Sequence, residues 1–160
     1  MGNTAFLRPV FLRKVLETIK SAGGFPFLTD ANTLYAGARS DSPQHLATAI
    51  QNGFAYAVVD ASLIIADGLR GKSESAVVVN QKNCKRVYIG SEVVAADALI
   101  SVAHSKGHQR PGLGGHIIRL GMGCQSRRGH LKLPSTGARK GTQEKSDGMS
   151  DLIRHSPGPF

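Results

Sequence analysis

The spacing of apolar positions predicts two helices in the first third of the chain. After Pro9, apolar residues recur at intervals of three and four, which is the period of an amphipathic helix. Gly23 and Gly24 end this helix, because glycine readily adopts the left-handed conformation that follows a last helical turn. Its predicted apolar stripe is Val10, Phe11, Val15, Ile19 and Ala22. A second helix is predicted from Pro43 to about Asn52.

Short aliphatic runs predict strands between and after these helices. The runs cover residues 25–30, 54–59, 62–66, 76–79, 86–89 and 98–104. Pro26 restricts the first of them to a sheet edge or to a later start. Ser91 is expected to cap a short helical turn. Helices alternating with strands predict an α/β fold, a layered sandwich with a mixed, mostly parallel sheet.

The composition changes towards the C-terminus and divides the chain into two parts. Pro, Ser, Thr, Gly and charged residues dominate after Leu133, and apolar residues become sparse there. A segment of this composition cannot bury enough apolar surface to order itself. We therefore expect one α/β domain over residues 1–133 and a disordered basic tail over residues 134–160.

Length, charge and cysteine content exclude several classes of protein. The 160 residues allow one ordinary domain, and no run approaches the roughly 20 apolar residues of a membrane span. The two cysteines are too few for a disulfide scaffold or for the four thiolates of an iron–sulfur cluster. Arg8 and Arg13 interrupt any signal-peptide core. We therefore expect a soluble, cytoplasmic protein, and the sequence leaves its oligomeric state open.

The net charge of +9 is concentrated in the last third of the chain. Residues 105–160 contain ten Lys and Arg against three Asp and Glu, whereas residues 1–104 contain ten against eight. A solvated basic tail is the simpler interpretation, and we do not expect specific nucleic-acid binding. A module that binds nucleic acid or an acidic protein is the alternative.

Polar residues at the ends of predicted strands are the candidate site residues. Asp30 and Asn32 follow the first strand, and ligands of open α/β sheets bind beyond the carboxyl ends of strands. These two side chains could orient a substrate or a cation. They are equally well explained as turn residues, because Asp and Asn satisfy neighbouring backbone groups.

A second candidate group follows the last predicted strand. His104 and His108 are spaced so that they could ligate a metal, and Lys106 could bind a phosphate or carboxylate. Ordinary loop residues are the third possibility. The paired glycines Gly114 and Gly115 precede a helix-like segment and could offer backbone N–H groups to an anion, or could simply permit close packing.

Three further motifs are weaker. Gly71-Lys72-Ser73 resembles the end of a phosphate-binding loop, but Ala66 occupies the place of the required first glycine, so a surface turn is expected. A dinucleotide fingerprint starting at Gly112 fails because Ile117 replaces its last glycine. Arg127 and Arg128 could activate the Cys124 thiol, although an inert packed cysteine is more common.

Taken in order, several segments resemble one known family. They are Gly2-Asn3-Thr4, residues 27–35, Asn52-Gly53-Phe54, residues 64–71, residues 96–100, Lys106-Gly107-His108, Gly114-Gly115 and residues 120–124. On these segments the chain resembles the family called domain of unknown function 362, over roughly residues 2–137. Members of that family are often fused to a ferredoxin-like module with two [4Fe–4S] clusters.

The resemblance implies a context but no substrate or reaction. It implies anaerobic redox metabolism, a small anionic ligand and a ferredoxin-type redox partner. Within it, Asp30, Asn32, Lys106, Gly114 and Gly115 are the expected ligand-binding residues, and His108 is the expected proton-transferring residue. We expect no cofactor on this chain, no membrane partner, and the absence of the family's N-terminal strand. A fragment without independent function is a further alternative, and whether the domain is an enzyme stays open.

Overall fold

The computed structural model describes residues 6–82, 84–103, 106–108, 112–114 and 116–132. Twelve elements lie within these ranges. In chain order they are α1 (Pro9–Ser21), β1 (Phe27–Asp30), α2 (Ser42–Gln51), α3 (Tyr56–Val59), β2 (Ser62–Ile65), β3 (Glu74–Val78), β4 (Arg86–Gly90), α4 (Ser91–Ala95), β5 (Lys106–His108), β6 (Gly112–Gly114), α5 (His116–Gly123) and α6 (Arg127–Lys132).

The first helix forms where the sequence predicts it but buries a different face. Pro9 occupies its first turn, where a missing N–H costs nothing. Leu12 and Leu16 are buried, whereas Val10 and Phe11 are 64% and 65% exposed. The predicted stripe was therefore wrong in this part of the helix. Apolar residues occupy two adjoining helix faces, and packing against the rest of the chain decides between them.

The buried core lies between α1 and the segment that contains α3. Its members are Leu12, Leu16, Val59 and Ala61, with Leu7, Ile19, Leu28 and Phe54 packed against them. Asp60 ends α3 in the left-handed conformation at φ 59°. Its carboxylate and its carbonyl both contact the Lys20 ammonium, at 2.7 and 2.6 Å. These two contacts hold the residue after α3 against the C-terminal end of α1.

The strands form three two-stranded sheets in the described part of the chain. β1 pairs with β2 in parallel, with Phe27 opposite Ser62 and Asp30 opposite Ile65. β3 and β4 are antiparallel, as are β5 and β6. The α/β class is confirmed. One pair is parallel and two are antiparallel.

Two of the predicted strands are absent. Residues 56–59 form the short helix α3, and residues 98–103 form no regular element. Leu99, Ile100 and Val102 are instead exposed, so the aliphatic run does not mark a buried strand. The predicted boundary at residue 133 and the tail over 134–160 lie outside the described residues.

The parallel pair brings two turns side by side. The Asp30 carbonyl accepts a hydrogen bond from the Ala66 N–H at 3.0 Å, which extends the pairing one residue beyond the end of β2. The residues after β1 therefore lie against the residues after β2. This juxtaposition places Asn32 beside Asp67 and creates the candidate site.

Candidate functional site

A buried carboxylate joins the ends of the two parallel strands. The Asp67 side chain is fully buried. Its Oδ1 accepts hydrogen bonds from the Asn32 backbone N–H at 3.0 Å and from Asn32 Nδ2 at 2.8 Å. Its Oδ2 accepts a hydrogen bond from the Arg127 backbone N–H at 2.8 Å. Three donors on two segments thus compensate for burying this charge.

The same contacts fix the orientation of the Asn32 amide. Asn32 Nδ2 faces Asp67 Oδ1, the Gly68 carbonyl at 2.9 Å and the Ser42 hydroxyl at 3.4 Å. The carboxylate and the carbonyl can only accept hydrogen bonds, so they must face the NH₂ group of the amide. Asn32 Oδ1 is therefore on the opposite side. It is buried and has no partner among the described residues.

Asp30 lies at the exposed side of this cluster. Its Oδ1 accepts the Ala31 N–H at 2.9 Å. Its Oδ2 lies 3.4 Å from Arg39 Nη1 and 3.5 Å from His45 Nε2. The Asp30 side chain is 44% exposed, whereas that of His45 is only 5% exposed. Solvent therefore reaches the carboxylate, and the imidazole lies behind it.

Helix α2 positions His45. Asp41 caps the helix by accepting the Gln44 N–H at 3.1 Å, and Pro43 lies in the first turn. Ser42 and His45 are the buried residues of this helix. Their spacing of three places both on the side that faces the strand ends. His45 Nδ1 is buried and has no partner among the described residues.

The start of α6 closes the cluster from a third direction. Besides its N–H bond to Asp67, Arg127 donates from Nη1 to the Ser40 carbonyl at 3.1 Å. Arg128 donates its N–H to the Gly71 carbonyl at 3.1 Å. Gly71 has φ +68°, and a Cβ on it would overlap the Cβ of Arg127. Gly71-Lys72-Ser73 is thus a turn, as expected, but only Lys72 and Ser73 are exposed, and Gly71 is packed against α6.

Comparison with known proteins assigns the family. A family model described as domain of unknown function, DUF362, matches residues 1–155. The chain belongs to the DUF362 family. Searches of the curated proteins and of the solved structures found no match. The chemistry of this DUF362 domain therefore has to be inferred from the geometry of its own residues.

Cys124 lies near the site of the DUF362 domain but is not an activated thiol. Burial, and secondly the negative charge of Asp30, raise the pKa of this thiol to about 11. The hypothesis that Arg127 and Arg128 activate it was wrong. The Arg127 guanidinium donates to Ser40, and that of Arg128 lies 4.0 Å from the Glu74 carboxylate. Cys124 is therefore protonated at neutral pH.

Three residues of the second predicted group, Lys106, His108 and Gly114, lie on the antiparallel strands β5 and β6 of the DUF362 domain. The backbone of β5 pairs Lys106 with Gly114 and His108 with Gly112. Gly115 and His104 lie outside the described residues, as do the side chains of Lys106 and His108. Of the other predicted site residues, Asp30 lies on the exposed side of the cluster and Asn32 in its buried part. The roles predicted for Lys106, His108, Gly114 and Gly115 stay predictions.

The metal and cluster chemistry open to this DUF362 domain is limited. Within the described ranges, no three side chains of His, Cys, Asp or Glu form a group that could hold a metal ion. An iron–sulfur cluster needs about four thiolates, and the whole sequence has two cysteines. The residues present thus do not fit a [4Fe–4S] cluster. Among the described residues no helix is long and apolar enough to cross a membrane.

An apolar groove of the DUF362 domain lies elsewhere, between α2, α3 and β2. It has a volume of about 300 Å³. Its lining is Leu46, Ile50, Ala55, Tyr56, Ala61 and Leu63. Of these lining residues only Tyr56 has a polar group, so the groove lacks the convergent polar groups that orient a small ligand. The polar cluster at the strand ends is the stronger candidate site.

His45 and Asp67 are the functional candidates that the sequence analysis missed. From its sequence, Asp67-Gly68 is expected to be an ordinary turn. That the Asp67 carboxylate faces Asn32 becomes visible only once β1 is paired with β2. For His45, the sequence contains only a weak indication that it faces the site. His45 follows Ser42 by three residues in a capped helix, so the two share a face.

Proposed function

We propose that this domain binds a small polar ligand with an anionic group at the carboxyl ends of β1 and β2. One observation carries the proposal: Asp30 contacts His45 there, and two of the three buried side-chain atoms without partners among the described residues belong to this cluster, on Asn32 and His45. Buried polar atoms are nearly always hydrogen-bonded in folded proteins, to protein, water or ligand. A cluster of this kind at strand ends is the usual place for a ligand in an open α/β sheet.

Arg39 is the group best placed to receive the anionic part of the ligand. Its side chain is 51% exposed, and its contact with Asp30 Oδ2 is long, at 3.4 Å. A guanidinium in this position can bind a carboxylate or phosphate without breaking a strong internal ion pair. Lys106, predicted from the sequence to bind an anion, would add a second positive charge.

The redox context is a separate part of the proposal and rests on family resemblance alone. A ferredoxin-type protein would be the electron carrier, because this chain's two cysteines cannot hold a cluster themselves. Binding of nucleic acid or an acidic protein by the basic last third is the alternative. A steep loss of affinity with salt would accompany it, because binding to phosphates releases counterions.

The test is a titration of the ¹⁵N-labelled chain with sodium glycolate at constant ionic strength. The amide chemical shifts of the chain are measured at each glycolate concentration. We expect saturable shifts at residues 30–33, 39–45 and 67–68. Asp30→Asn should change the affinity, because it alters the charge and the partner of Arg39. Asp97→Asn is the matched control, since Asp97 is an exposed carboxylate in the loop after α4. Absence of saturable shifts in these ranges, or equal effects of the two variants, would refute the proposal.

A further inference from the structure

Two buried atoms of the candidate site, Asn32 Oδ1 and His45 Nδ1, have no hydrogen-bond partner among the described residues, and both can act as acceptors. This follows for Asn32 from its amide orientation: Nδ2 is directed to Asp67 Oδ1 and the Gly68 carbonyl, which leaves Oδ1 on the other side without a partner among the described residues. An amide oxygen accepts hydrogen bonds and cannot donate one. The group that satisfies Asn32 Oδ1 must therefore carry an N–H or O–H.

The neighbouring imidazole leads to the same requirement. His45 Nε2 faces Asp30 Oδ2 at 3.5 Å, which favours the tautomer with the ring hydrogen on Nε2. In the neutral ring, Nδ1 is then a lone-pair acceptor. It is buried and has no partner in the described part of the chain. Nδ1 is thus a second buried acceptor, on a side chain whose other ring nitrogen faces Asp30.

We infer that the site takes a ligand in which a hydrogen-bond donor, a hydroxyl or an ammonium group, lies close to the anionic group. This inference rests on the proposed function and specifies its ligand class. The donor group would satisfy Asn32 Oδ1 and His45 Nδ1, and Arg39 would hold the anion. Small hydroxy acids and amino acids have this combination, whereas simple carboxylates have only the anion.

Asp30 favours a ligand that has a hydrogen-bond donor beside its anionic group over a ligand that has the anionic group alone. The Asp30 carboxylate is the solvent-exposed part of the cluster, and it repels an unaccompanied negative charge. A hydroxyl or ammonium group on the ligand gives Asp30 a favourable partner as well. The acceptors Asp30, Asn32 and His45 and the donor Arg39 therefore match a ligand with both polarities.

The experiment compares three probes of nearly equal size: acetate, glycolate and glycine. Acetate has the anion alone, glycolate adds a hydroxyl, and glycine adds an ammonium group. Satisfying one buried acceptor predicts that glycolate or glycine binds roughly five- to tenfold more tightly than acetate. Dissociation constants are measured from amide shifts of the full chain. The ring ¹⁵N signals of His45 are followed in the same samples, and we expect the Nδ1 signal to move with glycolate but not with acetate.

Two variants separate a role in ligand binding from a structural role. The Gln amide of His45→Gln reaches the position of Nε2 and keeps the contact with Asp30, but it removes the Nδ1 acceptor. The Asn amide of His45→Asn reaches the position of Nδ1 and keeps an acceptor there. We expect the preference for glycolate over acetate to disappear in His45→Gln and to persist in His45→Asn. Thermal melting of both variants checks that they fold.

The outcomes distinguish failure of the inference from failure of the proposed function. Equal affinities for acetate, glycolate and glycine would overturn the inference and leave the proposed site intact. The same holds if His45→Gln retains the full glycolate preference. Each probe is tested up to a concentration of roughly 50 mM, which is well above a weak, millimolar dissociation constant. If none of the three binds, the proposed function is overturned, and the inference with it.

Discussion

Replacement of Asp67 by Asn tests the network that holds the candidate site together. The side chain is fully buried and accepts three hydrogen bonds, two from Asn32 and one from the Arg127 N–H. An Asn at this position can keep its oxygen towards Asn32. Its NH₂ group must then face the Arg127 N–H, and two donors cannot bond to each other. The substitution preserves shape and removes one acceptor and the charge.

The expected loss of stability follows from these three bonds. Each bond to Asn32 weakens from a charge-assisted to a neutral one, a loss of about 0.5–1.5 kcal/mol, and the unpaired Arg127 N–H costs about 1–3 kcal/mol. Burying a neutral amide is easier than burying a carboxylate, which offsets part of the loss. We expect a net decrease of about 2–4 kcal/mol in the free energy of unfolding, against total stabilities of about 5–15 kcal/mol.

Urea unfolding followed by far-ultraviolet circular dichroism measures this difference. The chain has no Trp, so tyrosine fluorescence is the second probe of the same transition. Asp97→Asn is again the control, with an expected change below about 0.5 kcal/mol because the residue is exposed. An Asp67→Asn variant as stable as the wild type would refute the reasoning. It would mean that the desolvation cost of the carboxylate cancels its three hydrogen bonds.

Three more substitutions or conditions have defined outcomes. Gly71→Ala should destabilise by about 2–4 kcal/mol in urea, because Gly71 has φ +68° and a Cβ would overlap Arg127. Cys124 should react slowly with iodoacetamide near neutral pH, since its thiol pKa is about 11. Its folded pKa exceeds the ordinary value of 9.0, so this residue's contribution to stability is complete below pH 9 and lost between about pH 9 and 11. Lys20→Met should destabilise at neutral pH, because the Lys20 hydrogen bond lowers the Asp60 pKa. That stabilisation is present above about pH 4 and lost as the pH falls further.

Each of these predictions has a contrary result. A Gly71→Ala variant with wild-type stability would mean that α6 does not pack on this turn. Alkylation of native Cys124 as fast as in urea would show that the thiol is neither buried nor protonated. A stability difference between wild type and Lys20→Met that grows as the pH falls below about 4 would contradict the assigned ion pair.

The local part of this candidate site can be proposed from the sequence, and the roles of its residues stay predictions. Asp30 and Asn32 were found because a polar turn follows an aliphatic run, and that signal depends only on neighbours in the chain. The two strands β3 and β4 were predicted for the same reason, since apolar runs flank a polar connection, but their antiparallel pairing was not. The second helix was predicted within a residue of its observed bounds, because Pro43 lies in its first turn.

The parts that depend on distant residues could not be predicted. The partner of Asn32 is Asp67, 35 positions along the chain, and the register of β1 against β2 brings the two together. Residues 56–59 have the composition of a strand. They form α3 instead, and the following Asp60 is anchored to Lys20, 40 positions away. Tertiary contacts override local preference in each case.

A crystal structure of the chain grown with excess glycolate tests the central claim most directly. The account predicts glycolate with its hydroxyl within hydrogen-bond distance of Asn32 Oδ1 or His45 Nδ1 and its carboxylate on Arg39. Ordered water alone on these two atoms, or glycolate bound only elsewhere, would contradict the claim that the ends of β1 and β2 form a ligand site.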